Sequence, residues 1–408
     1  MKFWLHTYGC QMNVRDSEAM ESLLLGAGHQ KALSESDADL VIINSCTVRQ
    51  KAEDKALGKA GYLLSTGKKV GIAGCAVARL GDDIFKKLPR LDFAVKPGEF
   101  TKIKYLASSN DPLAEHPPTD AFSAFVTVMT GCNNFCSYCI VPKVRGPEKS
   151  RPFDDIVQEV EHLASTGIKE VTLLGQSVLK YPNFPQLLRR LQQIDKLKRI
   201  RFTSAHPGGC TDELLKAYNE CDKVCRHIHL PVQSGSNKIL SQMGRRYTRE
   251  QYLEAIAKLR AFDDTFAITT DVIVGYPGET EEDFEETRSL MNEALFDNSF
   301  IFKYSPRPGT RSAELADDVT NEEKQRRNAV LLDDQEKRGL ARNLALVGSV
   351  REVLVEGESK RNKTRLSGRD SGNRIVIWPK CENLPEKGSF VNVKILDAHA
   401  QTLFGELA

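Results

Sequence analysis

Six short candidate strands recur between Ala121 and Thr310, each followed by a polar turn that contains glycine or proline. They are Phe125-Val126-Thr127-Val128, Val171-Thr172-Leu173-Leu174, Ile200-Arg201-Phe202, Ile228-His229-Leu230, Asp271-Val272-Ile273-Val274 and Phe300-Ile301-Phe302. Strands alternating with helical stretches make parallel sheets, and six such units fit an incomplete β/α barrel. Barrels carry their chemistry on the loops after the strands. The distinctive residues fall there: Thr130-Gly131-Cys132, Gly175-Gln176-Ser177, Ser204-Ala205-His206-Pro207 and Gln233-Ser234-Gly235.

The chain before this region has a similar rhythm. Phe3-Trp4-Leu5, Leu40-Val41-Ile42-Ile43 and Val70-Gly71-Ile72-Ala73 read as buried strands, with Ser17 as the cap of a helix running to Gly26. Each strand runs into a cysteine, Cys10, Cys46 or Cys75, and in a parallel sheet those ends share one edge. Ser108 to Pro118 has the composition of a linker. Asn321 to about Leu346 reads as a charged helix, and the alternating runs from Ser349 onward suggest a small antiparallel β-barrel. The expected fold class is α/β. An N-terminal parallel-sheet domain (1–110) and a central partial β/α barrel with a helical connector (121–345) precede a C-terminal β-barrel (346–408).

With 40% hydrophobic and 27% charged residues in 408, composition is that of a globular protein. No apolar run approaches the roughly 20 residues of a membrane span, and the start lacks a signal-peptide core. A cytoplasmic location follows as the expectation, and nothing demands more than a monomer. In a reducing compartment the ten cysteines point to metal or catalysis rather than disulfides.

Cys132, Cys136 and Cys139 place three thiols in eight residues just past a strand. A cubane iron–sulfur core held by three cysteines keeps one iron open. Ferredoxin runs supply four ligands at other spacings, and structural zinc needs four, with no partner pair nearby. For Cys10, Cys46 and Cys75 two readings stand: small core residues, or a second metal site. Cys210, Cys221, Cys225 and Cys381 read as structural, with Cys221 and Cys225 at helical spacing. Lys360, Arg361, Lys363, Arg365, Arg369 and Arg374 concentrate positive charge on the C-terminal barrel, with Trp378 nearby. Such a run is either a solvated face or a phosphate-binding one, with the indole as a stacking surface.

The cysteine spacing Cys132-x3-Cys136-x2-Cys139 resembles that of radical S-adenosylmethionine enzymes, and nearly the whole chain resembles their methylthiotransferases. The resemblance rests on Thr7 to Asn13, Asn44-Ser45-Cys46, Gly74-Cys75, Gly131 to Pro142, His229 to Ser236, Gly275 to Thr280 and Tyr304 to Thr310. The C-terminal barrel is similar to a TRAM domain. Within the family the sequence is most similar to the MiaB-like branch, which acts on N6-isopentenyladenosine-37 in the tRNA anticodon loop. Other branches act on N6-threonylcarbamoyladenosine or a ribosomal-protein aspartate, and a non-catalytic iron–sulfur or zinc RNA-binding protein is the reading from another class. Lys143 and Gly208-Gly209 depart from the family pattern.

The resemblance implies two 4Fe–4S clusters and S-adenosyl-L-methionine. Cys132, Cys136 and Cys139 would hold the cluster that cleaves S-adenosylmethionine to the radical removing hydrogen from C2 of the base. Cys10, Cys46 and Cys75 would hold the auxiliary cluster presenting the sulfur. Gly175, Gln176, Ser204, Gln233 and Ser234 are the candidate S-adenosylmethionine contacts by position. The basic residues 360–374 are the candidate RNA contacts. A reductant protein such as flavodoxin or ferredoxin is the implied electron donor.

Overall fold

The computed structural model describes residues 1–106 and 120–408; the expected linker from Ser108 to Pro118 lies outside them. The N-terminal strands are β1 (Lys2–Tyr8), β2 (Gln30–Lys31), β3 (Leu40–Ser45), β4 (Lys69–Ala73) and β5 (Phe93–Val95). They form one parallel sheet in the order β2-β1-β3-β4-β5. Successive residues of a strand face opposite sides, so β3 serves two cores. Val41 and Ile43 pack with Ala56, Ala60 and Leu63 on one face, and Leu40 and Ile42 with Met20 and Leu24 on the other. Each of the Val, Ile, Leu and Met side chains contributes about 1.5–3 kcal/mol on burial, and a strand covered on both faces reads as an unbroken apolar run.

The first helix departs from expectation. It spans Gln11–Gly26, with Cys10 as N-cap and Asn13 completing a capping box. Ser17 lies mid-helix, because its hydroxyl is taken up by Thr7 at 2.7 Å and Asn44 at 3.0 Å.

The central strands are β6 (Ser123–Thr127), β7 (Met129–Thr130), β8 (Lys149–Ser150), β9 (Glu170–Leu174), β10 (Arg199–Phe202), β11 (His227–His229), β12 (Ala267–Val274) and β13 (Asn298–Lys303). All six expected barrel strands form. β6, β9 and β10 pair in parallel, as do β11, β12 and β13, and a parallel bridge from Ile200 to Val224 joins the halves. One continuous apolar core fills the interior. Cys221 and Cys225 are buried in it or beside it, but not on a shared helix: the helix ends at Glu220, and Cys221 is extended.

A helix over Asn321–Leu344 leads to β14 (Val350–Glu358), β15 (Arg365–Asp370), β16 (Ile375–Pro379), β17 (Phe390–His399) and β18 (Thr402–Leu407). These close a barrel in the order β14-β15-β16-β18-β17. The expected all-antiparallel pattern is broken once, since β16 and β18 pair in parallel. This barrel docks on the starting ends of the central strands through charged groups. Arg201 Nη2 donates to Asp370 O at 2.7 Å, and Arg199 Nη1 to Arg369 O at 2.9 Å. The loops that carry Cys132, Gly175 and Ser204 leave the opposite ends of those strands.

Candidate functional site

The N-terminal cysteines meet at one sheet edge because β1, β3 and β4 are parallel neighbours. Tyr8 is in register with Ser45, and Asn44 with Ala73, so the chain leaves the sheet at nearly one level toward Cys10, Cys46 and Cys75. A pair of asparagines braces this edge. Asn13 Oδ1 accepts from the Cys10 thiol at 3.4 Å, and Asn13 Nδ2 donates to Asn44 Oδ1 at 3.2 Å. A Cβ on Gly74 would strike Asn44 Oδ1, and Gly74 has φ +96°. Only glycine meets both conditions.

The second trio sits in the loop between β7 and β8. Gly131 has φ +76°, and a Cβ there would collide with the Pro147 carbonyl. Asn133 N donates to Glu148 Oε1 at 3.0 Å, and Cys132 N to Gly146 O at 3.1 Å. Between the cysteines, Ser137 is held by Met243 O through its own N–H and by the Ser312 N–H through its carbonyl, both at 2.9 Å. Phe135 is exposed with φ +49°, an uncommon state for a bulky residue, and its carbonyl accepts from Arg311 Nη2 at 2.5 Å.

One short helix joins the trios. Val141–Arg145 begins two residues beyond Cys139 and spans about 7.5 Å. Ile140 and Val144 pack against Cys75. At its end Arg145 Nε donates to Cys75 Sγ at 3.2 Å, while Nη1 and Nη2 fork onto Asp16 at 3.3 and 2.6 Å. Burial raises the Asp16 carboxyl above the ordinary carboxylate range and the Arg145 fork opposes that, its two charge-assisted hydrogen bonds favouring the ionised form. The other trio also has one guanidinium on a sulfur, Arg245 Nη1 on Cys136 Sγ at 3.5 Å.

The donor sets are all sulfur, which suits iron–sulfur cores. Among the described residues no three His, Cys, Asp or Glu side chains are grouped around one point as a single ion would need. Burial pushes the Cys75 thiol up to about 11 and that of Cys139 up to about 12. Such thiols stay neutral until a metal core supplies the charge that ionises them.

The candidate cofactor contacts fall on the β9, β10 and β11 loops. A Cβ on Gly175 would come within 2.6 Å of Met129. Beside it Gln176 Oε1 and Ser177 Oγ are buried without a hydrogen-bond partner among the described residues. Unpaired buried polar atoms are costly unless a ligand completes them. Ser204 and Gln233 have φ of +60° and +73°. Ser234 is different: its fully buried hydroxyl faces Thr287 at 3.2 Å and receives the Ser236 N–H, so it builds the turn. A cleft of about 290 Å³ opens beside these loops, lined by Asn134, Lys180, His206, Gly209 and Arg246 among others. The glycine departure has a local reason, as a Cβ on Gly209 would strike Leu179.

Two expectations on the C-terminal barrel are corrected. Arg374 is buried and paired to Asp297 at 2.6 Å, which removes it from any RNA-facing surface. Trp378 is fully buried in the barrel core, so it offers no stacking face. Arg369 is half-exposed and paired with Glu356 at 2.9 Å. Lys360, Arg361 and Lys363 are exposed on the turn between β14 and β15, and Arg365 opens β15 half-buried. Sequence reasoning missed Asp16, Arg145 and Arg245. The signal was faint: an arginine six residues past Cys139, and a Gly244-Arg245-Arg246 turn.

Comparison with known proteins bears on this arrangement. The Radical SAM superfamily matches residues 126–291, Uncharacterized protein family UPF0004 residues 2–96, and the TRAM domain residues 344–408. A protein of Methylacidiphilum infernorum named tRNA-2-methylthio-N(6)-dimethylallyladenosine synthase is 42% identical over 98% of this chain and 94% of its own. Its namesake in Syntrophomonas wolfei is 43% identical over 100% and 98%. The chain belongs to the tRNA-2-methylthio-N(6)-dimethylallyladenosine synthase family. A third member, from Geotalea uraniireducens, is 44% identical over 99% of this chain and 98% of its own. The radical SAM match within this synthase family implies a 4Fe–4S cluster and S-adenosylmethionine. Among solved structures, the radical S-adenosylmethionine methyltransferase TsrM of Kitasatospora setae aligns at TM-score 0.59. That alignment covers 76% of this chain and 75% of TsrM at 13% identity, a likeness of fold alone.

Proposed function

We propose that the chain inserts sulfur at C2 of N6-isopentenyladenosine-37 in tRNA and methylates it, giving 2-methylthio-N6-isopentenyladenosine. The observation that carries this is identity of about 42% along the whole chain to synthases of that name, together with two all-sulfur trios joined by one short helix. Cys132, Cys136 and Cys139 hold one 4Fe–4S cluster, and Cys10, Cys46 and Cys75 the other. When bound, the two clusters supply the electron that cleaves S-adenosylmethionine and the sulfur that enters C2, in that order, and a second S-adenosylmethionine supplies the methyl group.

The chain's own groups bind and orient. Gln176 Oε1, unpaired among the described residues, accepts from S-adenosylmethionine and the likewise unpaired Ser177 hydroxyl donates to or accepts from it, with Gly175 leaving room and Ser204 and Gln233 aiming their loops. Lys360, Arg361, Lys363 and Arg365 meet tRNA phosphates, and the target base is splayed from its loop to reach the cysteines. The working unit is a cytoplasmic monomer with divisions at 1–110, 121–345 and 346–408, served by a flavodoxin or ferredoxin. No helix among the described residues is long and apolar enough to cross a membrane.

Nucleoside analysis of tRNA from a deletion strain tests the reading. Loss of 2-methylthio-isopentenyladenosine with accumulation of isopentenyladenosine is expected. Persistence of the methylthio nucleoside, with loss instead of the methylthio form of threonylcarbamoyladenosine, would overturn the substrate.

A further inference from the structure

The two cysteine trios differ in how their guanidinium is neutralised. Arg245 donates to Cys136 Sγ, to Pro231 O at 3.0 Å and to the Tyr247 hydroxyl at 2.9 Å. Among the described residues it makes no ion pair, so its full charge faces the sulfur. Arg145 donates to Cys75 Sγ at a shorter 3.2 Å, yet its other edge is forked onto Asp16. Both Arg145 and Asp16 are nearly buried, with side-chain exposures of 6% and 12%. At such a site charges act strongly on one another and on a nearby centre. Asp16 also stands on the helix that Cys10 caps, and Arg145 on the helix that follows Cys139. The pair is therefore fixed relative to ligands of both trios.

We propose that Asp16 is a positioning residue that, by neutralising Arg145, keeps the cluster of Cys10, Cys46 and Cys75 harder to reduce than that cluster would be beside a bare guanidinium. Adding an electron to a cluster adds negative charge, which a nearby uncompensated cation stabilises and a neutral ion pair does not. Two further arginines stand nearby: Arg307 acts on Cys46 from a place beside the Glu53–Arg79 ion pair, and Arg15 lies near Asp16 but is paired with Glu18 and Glu159. None of them donates to a trio sulfur. The consequence is a direction for electrons. Those from the reductant settle at the cluster beside Arg245, where S-adenosylmethionine is cleaved, rather than at the one that presents sulfur.

This inference rests on the reading of Cys10, Cys46 and Cys75 as cluster ligands. If that reading fails, the native enzyme lacks the second cluster's iron. If only the inference fails, both clusters are present and the potential does not move.

The test is a potentiometric titration of reconstituted full-length enzyme with titanium(III) citrate, followed by the electron paramagnetic resonance signal of each reduced cluster. Asp16→Asn is expected to make the second cluster easier to reduce by at least tenfold in its one-electron equilibrium, about 59 mV. Arg145→Gln is expected to make it harder to reduce, and the double variant to return it near the native value. The signal of the Cys132 cluster serves as internal control and is expected to stay put. Unchanged midpoints at full iron content in the single variants would overturn the proposal. So would loss of this cluster's iron in both, which would assign the pair a structural role.

Discussion

The hydroxyls of Ser137 and Tyr276 lie 2.8 Å apart in a buried hydrogen bond, tying the loop of Cys132, Cys136 and Cys139 to the turn after β12. Tyr276 also donates toward Gln242 O at 3.3 Å and stacks edge-on against Tyr304. Removing the phenol oxygen alone leaves the ring packing in place. Tyr276→Phe is expected to cost about 1 kcal/mol and to speed iron loss to a chelator from this loop but not from the N-terminal trio. Iron release followed in single-trio variants checks it.

Gly131→Ala should act more severely, since both its positive φ and the Pro147 carbonyl reject a side chain. The loop would have to open where Cys132 pairs with Gly146. About half of the iron is expected to be lost on reconstitution, with the N-terminal cluster retained. Full iron content would show that the loop tolerates the shift.

Several parts of this architecture were legible in the sequence. The six barrel strands and the three N-terminal strand ends show as short, largely apolar runs, and β3, β9 and β10 are buried along their whole length, a state that sequence pattern reports well. The convergence of Cys10, Cys46 and Cys75 could be read from topology alone. What stayed hidden depends on contacts between distant segments. Nothing local distinguishes Arg374, buried against Asp297, from Lys363, exposed on a turn, and Trp378 alternates inward only once the strand register is fixed. The Asp16–Arg145 fork likewise joins positions 129 residues apart. Ser17 misled because a serine ahead of an apolar run is a usual cap signal, whereas here Cys10 takes that place.

The same distinction gives a prediction about RNA. Replacing Lys360, Arg361 and Lys363 together by alanine should weaken tRNA binding and lower the salt slope by roughly 0.7–0.9 for each phosphate no longer neutralised. Arg374→Ala should leave that slope unchanged and instead destabilise the junction. Asp297 keeps Arg260 and Arg342, so the cost falls below the roughly 3–5 kcal/mol of a stranded buried charge. Filter binding over a salt series, with thermal melts alongside, separates the two effects.

Burial pushes the rings of His206 and His227 down to about 3. The unfolded chain binds these protons at ordinary histidine values near 6.5, so between about pH 3 and 6.5 it holds more protons than the folded one. Stability contributed by the neutral rings is therefore fully present above that window and declines as pH falls through it. His227→Gln should flatten the fall in melting temperature between about pH 7 and 5. A fall as steep as in the native protein would mean the ring does not carry it.

The most direct test of two separate clusters is iron and S-adenosylmethionine cleavage measured together on Cys10→Ala/Cys46→Ala/Cys75→Ala. About eight irons per native chain and about four in the variant are expected, with 5′-deoxyadenosine still released on reduction and no methylthio product formed. Four irons in the native chain, or loss of cleavage together with thiolation in the variant, would contradict the account.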